Sequence, residues 1–355
     1  MSDEAIRSLP DALVLGAGGT LGDAWLRGVL NGLADGAGLD FRTCEYFLGT
    51  SAGSIVAATL AAGRVPDAGV EVEEEWARRA VLAAGDAGAG GDGAAGDENA
   101  AGGENAAGGD GAAGGGSAAD GGDANARGGR DAAESSGGGA GAPGKAFSAL
   151  GRGARAVATP LAPLALATTR PAGRLARAAL LSRAPRSERT LAGLGRQVEA
   201  LGGRFDGRLR IFAVDRASGR RVAFGAPDAP RAGVAEAVLA SCAVPWLFAP
   251  VEIGGREYVD GGVWSPTNLD AVPAGRGSRV LCLIPTAGAA DKRLRTATAA
   301  AAGYERMALT ARRTAVRAVV PDQPSLDAFG PDLMDASRAA AVVAAGYAQG
   351  RRLAS

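Results

Sequence analysis

The feature that most limits how this chain can fold is a long interior stretch without large apolar side chains. Between Leu82 and Phe147 there is no Val, Ile, Leu, Met, Phe, Trp or Tyr, and the stretch is mostly Gly and Ala with scattered Asp, Asn and Ser. Ordering the backbone costs roughly 1–2 kcal/mol per residue, and this composition buries too little apolar surface to offset that cost. We therefore predict a disordered insertion over residues 85–145, with the folded protein built from the chain on either side.

The two flanking blocks, residues 1–84 and 188–355, predict one interrupted α/β domain. Short apolar runs alternate there with segments whose apolar residues recur at helical spacing. Nearly continuous apolar runs are typical of strands buried on both faces, so we expect a parallel or mixed sheet covered by helices on both sides. Strands are predicted at 12–16, 44–49, 209–215, 221–224 and 279–285, a hairpin at 251–260, and helices at 23–35, 52–62, 69–83, 188–201, 232–242, 298–314 and 335–351.

A basic segment, residues 146–187, joins the insertion to the second block. No acidic residue occurs from Ser135 to Ser187, and apolar residues at helical spacing are interleaved with arginines, as in RLARAALLSR. This pattern leaves two interpretations open: a surface helix that rejoins the domain, or a cationic amphipathic element that contacts an anionic membrane. The second predicts lipid contacts from Arg170, Arg174, Arg177, Leu175, Ala179 and Leu180.

Composition excludes several kinds of function. The chain has no histidine, which rules out a Ser-His-Asp triad, a Cys-His dyad and a histidine metal site. Its 38 basic and 38 acidic side chains balance, which argues against a nucleic-acid partner. Cys44, Cys242 and Cys282 are too far apart in sequence to suggest a zinc site or a disulfide framework, so we expect a cytoplasmic protein without metal or cofactor.

The run Gly49-Thr50-Ser51-Ala52-Gly53 lies between a predicted strand and a predicted helix. A Gly-x-Ser-x-Gly in that context is typical of a nucleophile elbow, in which the serine occupies a sharp strand-to-helix turn. The glycines would allow the tight backbone, and the amides of the following helix would face a developing negative charge. A turn without catalytic function is the competing interpretation.

A glycine-rich loop, residues 16–22, follows the first predicted strand. A dinucleotide fingerprint would require glycine where Leu21 stands, and a phosphate loop would require a Gly-Lys-Ser/Thr ending that is missing. An oxyanion loop formed by the amides of Ala17, Gly18 and Gly19 and a simple tight turn remain open.

Asp260, in Asp260-Gly261-Gly262, is the candidate base for Ser51 because histidine is absent. It ends the predicted hairpin, and partial burial would raise its pKa toward the range that general-base catalysis needs. Asp-Gly is also a common turn sequence, so a structural turn is the alternative.

These three motifs, in this order, resemble the patatin-like phospholipase family. The stretch ASCAVPWLFAPVEIGGREYVDGGVWSPTN at 240–268 adds to the similarity, which covers residues 11–75 and 205–285 well and extends to a tail at 324–349. The resemblance implies a three-layer α/β/α fold with a mostly parallel central sheet, interrupted here by the insertion.

The resemblance also implies a Ser-Asp dyad that hydrolyses acyl esters of lipids. Ser51 would be the nucleophile, Asp260 its base, and Ala17, Gly18 and Gly19 the oxyanion donors. Ala17 replaces a glycine often found in such loops, and Leu21 stands where many members carry Arg or Lys, which removes one contact to an anionic headgroup. A catalytically silent lipid-binding or regulatory protein on the same fold is the alternative, and the oligomeric state is left open.

Overall fold

The computed structural model describes residues 5–66, 173–184 and 186–355. The predicted disordered insertion (85–145) and the predicted helix over 69–83 lie outside these residues, as does the first part of the basic segment, 146–172.

A mixed sheet forms the centre of the described part of the chain. Its order is β5-β6-β3-β2-β1-β7-β8, with β4 paired to β3. The β1–β2, β2–β3, β1–β7 and β7–β8 pairs are parallel, whereas β3–β4, β3–β6 and β5–β6 are antiparallel. The strands are β1 (Ala12–Leu15), β2 (Tyr46–Thr50), β3 (Leu209–Asp215), β4 (Arg221–Phe224), β5 (Val251–Ile253), β6 (Arg256–Asp260), β7 (Arg279–Leu283) and β8 (Ala315–Val319).

Helices lie between the strands in the chain, and two more follow the last strand. In order they are α1 (Gly19–Ala37), α2 (Ala52–Ala61), α3 (Gly173–Arg183), α4 (Ala192–Glu199), α5 (Val234–Cys242), α6 (Lys292–Ala311), α7 (Gln323–Phe329) and α8 (Ala339–Ala354). In the part of the chain described here, no helix is both long and apolar enough to cross a membrane.

Both faces of the sheet are buried, which confirms the predicted three-layer, mostly parallel fold. Leu13 and Leu15 of β1 pack into the larger core together with residues of α1, α2, α5 and α8. Val14, between them, belongs to a second core on the opposite face, which includes Leu309 of α6. This alternation follows from the two-residue period of a strand. Leu181 of α3 packs against Val214, Val259 and Val263 in a third, smaller cluster.

Two elements of the fold are missing from the sequence prediction. Among the described strands, β8 lies at the end of the sheet and pairs only with β7, and most of its residues are partly exposed. Its sequence, AVRAV, therefore lacks the continuous apolar run of the central strands. Helix α7 is short, QPSLDAF. Asp322, the residue directly before it, accepts a hydrogen bond from the Ser325 amide. Seven residues are too few to show a clear helical period.

Candidate active site

Ser51 occupies a strained turn between β2 and α2. Its backbone has φ 51° and ψ −122°, a conformation that costs of order 1–3 kcal/mol for a residue other than glycine. Surrounding hydrogen bonds hold it there: the Ser51 amide donates to Ser241 Oγ at 2.9 Å, and its carbonyl accepts from Ser54 Oγ at 2.6 Å and from the Ser54 amide at 2.8 Å. The turn has the geometry of a nucleophile elbow, with the side chain at the start of α2.

The two glycines of the elbow are required by close backbone contacts. A Cβ on Gly49 would lie 2.4 Å from Ser54 Cα, and a Cβ on Gly53 would lie 2.0 Å from the Leu15 carbonyl oxygen. Neither neighbour is a flexible side chain that could move away. The contact at Gly53 also packs the start of α2 against the end of β1, which leads into the glycine-rich loop.

The register of the sheet brings Asp260 to Ser51 from more than two hundred residues away in the chain. Thr50 of β2 pairs with Phe212 of β3, and Asp260 of β6 pairs with Ala213, the next residue of β3. Asp260 is 4% exposed, and the Ser51 side chain lies close enough to its carboxyl group to lower the pKa. The structure therefore places these two predicted site residues next to each other.

The environment of Asp260 is suited to proton transfer near neutral pH. Burial raises the pKa of its carboxyl to about 7, against the hydrogen bonds from Ser51 and from the Gly262 amide, which lower it. The hydrogen bond from the Gly262 amide is short, with 2.6 Å between Gly262 N and Asp260 Oδ1. A base is most effective when its pKa lies close to the working pH, and this carboxyl meets that condition.

The glycine-rich loop lies beside Asp260, but it offers fewer free amides than predicted. A Cβ on Gly262 would lie 3.6 Å from Ala17 Cβ, which places the two segments next to each other. The Ala17 amide donates to the Pro266 carbonyl at 2.8 Å, so it is engaged in this structure, and its role as an oxyanion donor stays a prediction. The amides of Gly18 and Gly19 make no hydrogen bond within the described residues and remain available.

Asn268 is a site residue that the motif analysis missed. It is fully buried, has φ 50°, and its Nδ2 donates to Thr50 Oγ1 at 3.0 Å and to the Ser265 carbonyl at 2.8 Å. It thereby connects the strand that carries the nucleophile with the loop that follows Asp260. The run VWSPTN after Asp-Gly-Gly carries this signal, but the partner of Asn268 lies too far away in sequence to be inferred.

Cys242 lies close to Ser51 and contacts Ser54, with 3.8 Å between Cys242 Sγ and Ser54 Oγ. Burial raises the pKa of the Cys242 thiol well above its ordinary value, with a further contribution from the charge of Asp260. A neutral thiol is a poor nucleophile, so Cys242 does not compete with Ser51.

The predicted membrane contact by Arg177 is wrong, although α3 forms where RLARAALLSR predicts a helix. Arg177 is fully buried; its guanidinium lies 4.2 Å from the ring centroid of Trp264 and donates to the Gly219 carbonyl at 2.8 Å. Burial, with a smaller effect of the neighbouring Arg221, lowers its pKa to about 10. Arg177 thus anchors α3 to the loop after Asp260, whereas Leu175 is 70% exposed.

Comparison with known proteins identifies a family for this chain. A family model described as Patatin-like phospholipase matches residues 13–273, a range that includes the glycine-rich loop, the elbow and Asp260. A search of curated proteins finds no match to the chain. Since the family model spans well over half of the sequence, the chain belongs to the patatin-like phospholipase family.

Proposed function

We propose that this protein is a serine acyl hydrolase of the phospholipase A or lipase type that uses Ser51 and Asp260 as a catalytic dyad. Membership of the patatin-like phospholipase family supports lipid acyl hydrolysis in general. The observation that carries the specific proposal is the sheet register, which places a buried carboxyl whose pKa is raised to about 7 beside a serine in a strained strand-to-helix turn. The chain contains no histidine that could replace Asp260 as the base.

In the first step, Ser51 Oγ attacks the acyl carbonyl carbon while Asp260 accepts the hydroxyl proton. The negative charge that develops on the carbonyl oxygen is stabilised by the free amides of Gly18 and Gly19 and by the N-terminus of α2, which begins at Ala52. Donors of this kind each contribute roughly 3 kcal/mol in the transition state.

Collapse of the tetrahedral intermediate breaks the ester bond, and Asp260 returns its proton to the leaving alcohol. The acyl group is then held on Ser51 as an ester. In the second half of the reaction Asp260 takes a proton from water, which attacks the acyl-enzyme, and the proton passes to Ser51 as the fatty acid leaves.

A serine-directed fluorophosphonate probe tests the proposal directly. We expect the wild-type protein to be labelled at Ser51 and the Ser51→Ala variant to remain unlabelled, because only an activated serine attacks the phosphorus. The matched control is Ser54→Ala, a serine one turn further along α2. Ser54 supports the elbow through its hydroxyl, so this variant should still label, at a reduced rate. Absence of labelling in the folded wild-type protein would favour the silent lipid-binding alternative instead.

We further propose that the enzyme binds peripherally to an anionic membrane, from the cytoplasmic side, through the outer face of α3. Leu175 is 70% and Leu180 is 39% exposed, and Ala179 and Arg183 lie on the same exposed surface. Cations near an anionic bilayer contribute about 1 kcal/mol each, and exposed leucines can insert beside them.

The double substitution Arg174→Gln with Arg183→Gln should weaken binding to vesicles containing phosphatidylserine by about tenfold or more. Hydrolysis of a small soluble ester should be unchanged, because neither side chain contacts the dyad. Vesicle co-sedimentation at increasing salt measures the effect, with Lys292→Gln and Arg293→Gln on α6 as the charge-matched control. Equal loss in the control, or equal binding to neutral vesicles, would contradict the role of α3.

A further inference from the structure

The segment that follows Asp260, residues 261–271, contacts each part of the candidate active site; we refer to it as the Asp260 loop. Its Gly262 amide donates to Asp260, and its Pro266 carbonyl accepts from the amide of Ala17 in the glycine-rich loop. Its Asn268 side chain donates to Thr50 Oγ1, directly before the nucleophile. The conformation of this loop therefore sets the relative positions of the base, the oxyanion donors and Ser51.

Glu305 of α6 contacts this loop from the face of the sheet opposite to α2. It is 3% exposed, and its Oε2 accepts hydrogen bonds from the Leu269 amide at 2.8 Å and from Thr267 Oγ1. The side chain of Ser265 lies close enough to this carboxyl group to lower its pKa. Ser265 Oγ in turn accepts from the amides of Thr267 at 3.2 Å and Asn268 at 3.1 Å.

These contacts form a network in which Glu305 is the common acceptor. A buried carboxylate is costly unless hydrogen bonds replace its hydration, and two donors from one short segment, the Leu269 amide and the Thr267 hydroxyl, meet that need. No cation forms an ion pair with Glu305 within the described residues. The loop therefore supplies the hydrogen-bond donors of Glu305, and Glu305 in turn holds the conformation of the loop between Ser265 and Leu269.

The Glu305 carboxyl group has a raised pKa. Burial raises the pKa of its carboxyl to about 7, with a further contribution from the charge of Asp270, while the hydrogen bonds from Ser265, Thr267 and Leu269 lower it. Asp270 is itself paired with Arg221, and the nearby thiol of Cys282 has its pKa raised by burial, so it stays neutral.

We propose that Glu305 is a positioning residue for the hydrolytic reaction. It touches no reacting atom; it holds the Asp260 loop in the conformation that aligns Asp260 with Ser51 and keeps the Ala17–Pro266 contact. The proposal rests on the function proposed above. Among the remaining buried polar groups on α6, Thr298 provides a contrast, because its hydroxyl is buried and finds no hydrogen-bond partner among the residues that the structure describes.

The test compares Glu305→Gln with Thr298→Val, two nearly isosteric substitutions on the same helix. For each variant, the rate constant and the final stoichiometry of fluorophosphonate labelling are measured, together with kcat and KM for a small soluble ester. Glu305→Gln should lower the labelling rate constant and kcat by about 10- to 100-fold, since small displacements of catalytic groups have effects of that size. KM and the labelling stoichiometry should stay at the wild-type level, and Thr298→Val should match the wild type throughout.

A merely structural role gives a different result, because partial unfolding lowers the stoichiometry of labelling rather than its rate constant. A wild-type rate constant in Glu305→Gln, or a loss of activity matched by loss of stoichiometry, would overturn the inference. If Glu305→Gln does not fold, Thr267→Val removes one of the donors to the carboxylate and should lower the rate constant in the same direction. Labelling of Ser51→Ala would instead refute the proposed function, so the two failures are distinguishable.

Discussion

Ester hydrolysis should fall by about 10³-fold or more when Ser51 is replaced by Ala, and by a similar factor in Asp260→Asn. Alanine removes the nucleophile, and asparagine keeps the size of Asp260 but cannot accept the Ser51 proton. Both variants should remain folded, because the turn is held by close backbone packing at Gly49 and Gly53 and by the hydrogen bond from the Ser51 amide to Ser241 Oγ. Steady-state hydrolysis of a soluble ester, with circular dichroism of each variant, measures both effects.

The double variant Ser51→Ala with Asp260→Asn provides the control. Groups that act as one unit in a single step are not additive, so the double variant should be about as slow as either single variant. Retention of most activity in either single variant would show that the dyad assignment is incorrect, and a loss in the double variant equal to the product of the single losses would show that the two residues act independently.

Hydrolysis should decrease about tenfold for each pH unit well below 7, because Asp260 acts as a base only when it is ionised. Its pKa is raised to about 7 by burial, so the fall should begin near neutrality rather than near pH 4. A profile of kcat/KM from pH 5 to 9 measures this. Full activity at pH 5 would exclude a carboxyl with this pKa as the base.

The free energy of unfolding should decrease as the pH rises, whereas hydrolysis should increase. Because the pKa of Asp260 is raised above the value of about 3.9 for an unfolded aspartate, the folded state retains a proton that the unfolded state releases. This contribution to the free energy of unfolding is fully present below about pH 4. It is lost as the pH rises from about 4 to about 7, by about 1.4 kcal/mol per pH unit. Glu305 acts in the same direction.

Asp260→Asn removes the buried ionisation, so this variant should gain thermal stability relative to the wild type as the pH rises from 5 to 8. Melting temperatures at four pH values measure the difference. Asp322→Asn, which alters an exposed ion pair with Arg352, is a control that should show no such trend. A constant difference between Asp260→Asn and the wild type would indicate that Asp260 is not desolvated.

Much of the fold could be predicted because the sheet interior imposes strong local patterns. The run ALVL is apolar throughout, and LRIFAVD is apolar except for Arg210 and Asp215, because both faces of these strands are largely buried. Strand β8 and helix α7 escaped prediction for the opposite reason: an exposed edge strand and a seven-residue helix need little apolar patterning. The basic helix α3 was predicted from its spacing, but its orientation was not, since Arg177 reads as a surface cation until Trp264 and Gly219 are seen to surround it.

Some features of the candidate site could likewise be predicted from the sequence, and others could not. The sequence by itself determined the strand–turn–helix context of Ser51, the glycines that the turn requires, the position of Asp260 at the end of a hairpin, and the exclusion of histidine chemistry. Only the tertiary structure decided that Asp260 contacts Ser51, that the Ala17 amide is engaged by Pro266, and that Glu305 supports the loop between them. Backbone constraints act over a few neighbouring residues and leave a local pattern, whereas these contacts join positions far apart in the chain and depend on sheet register and helix packing.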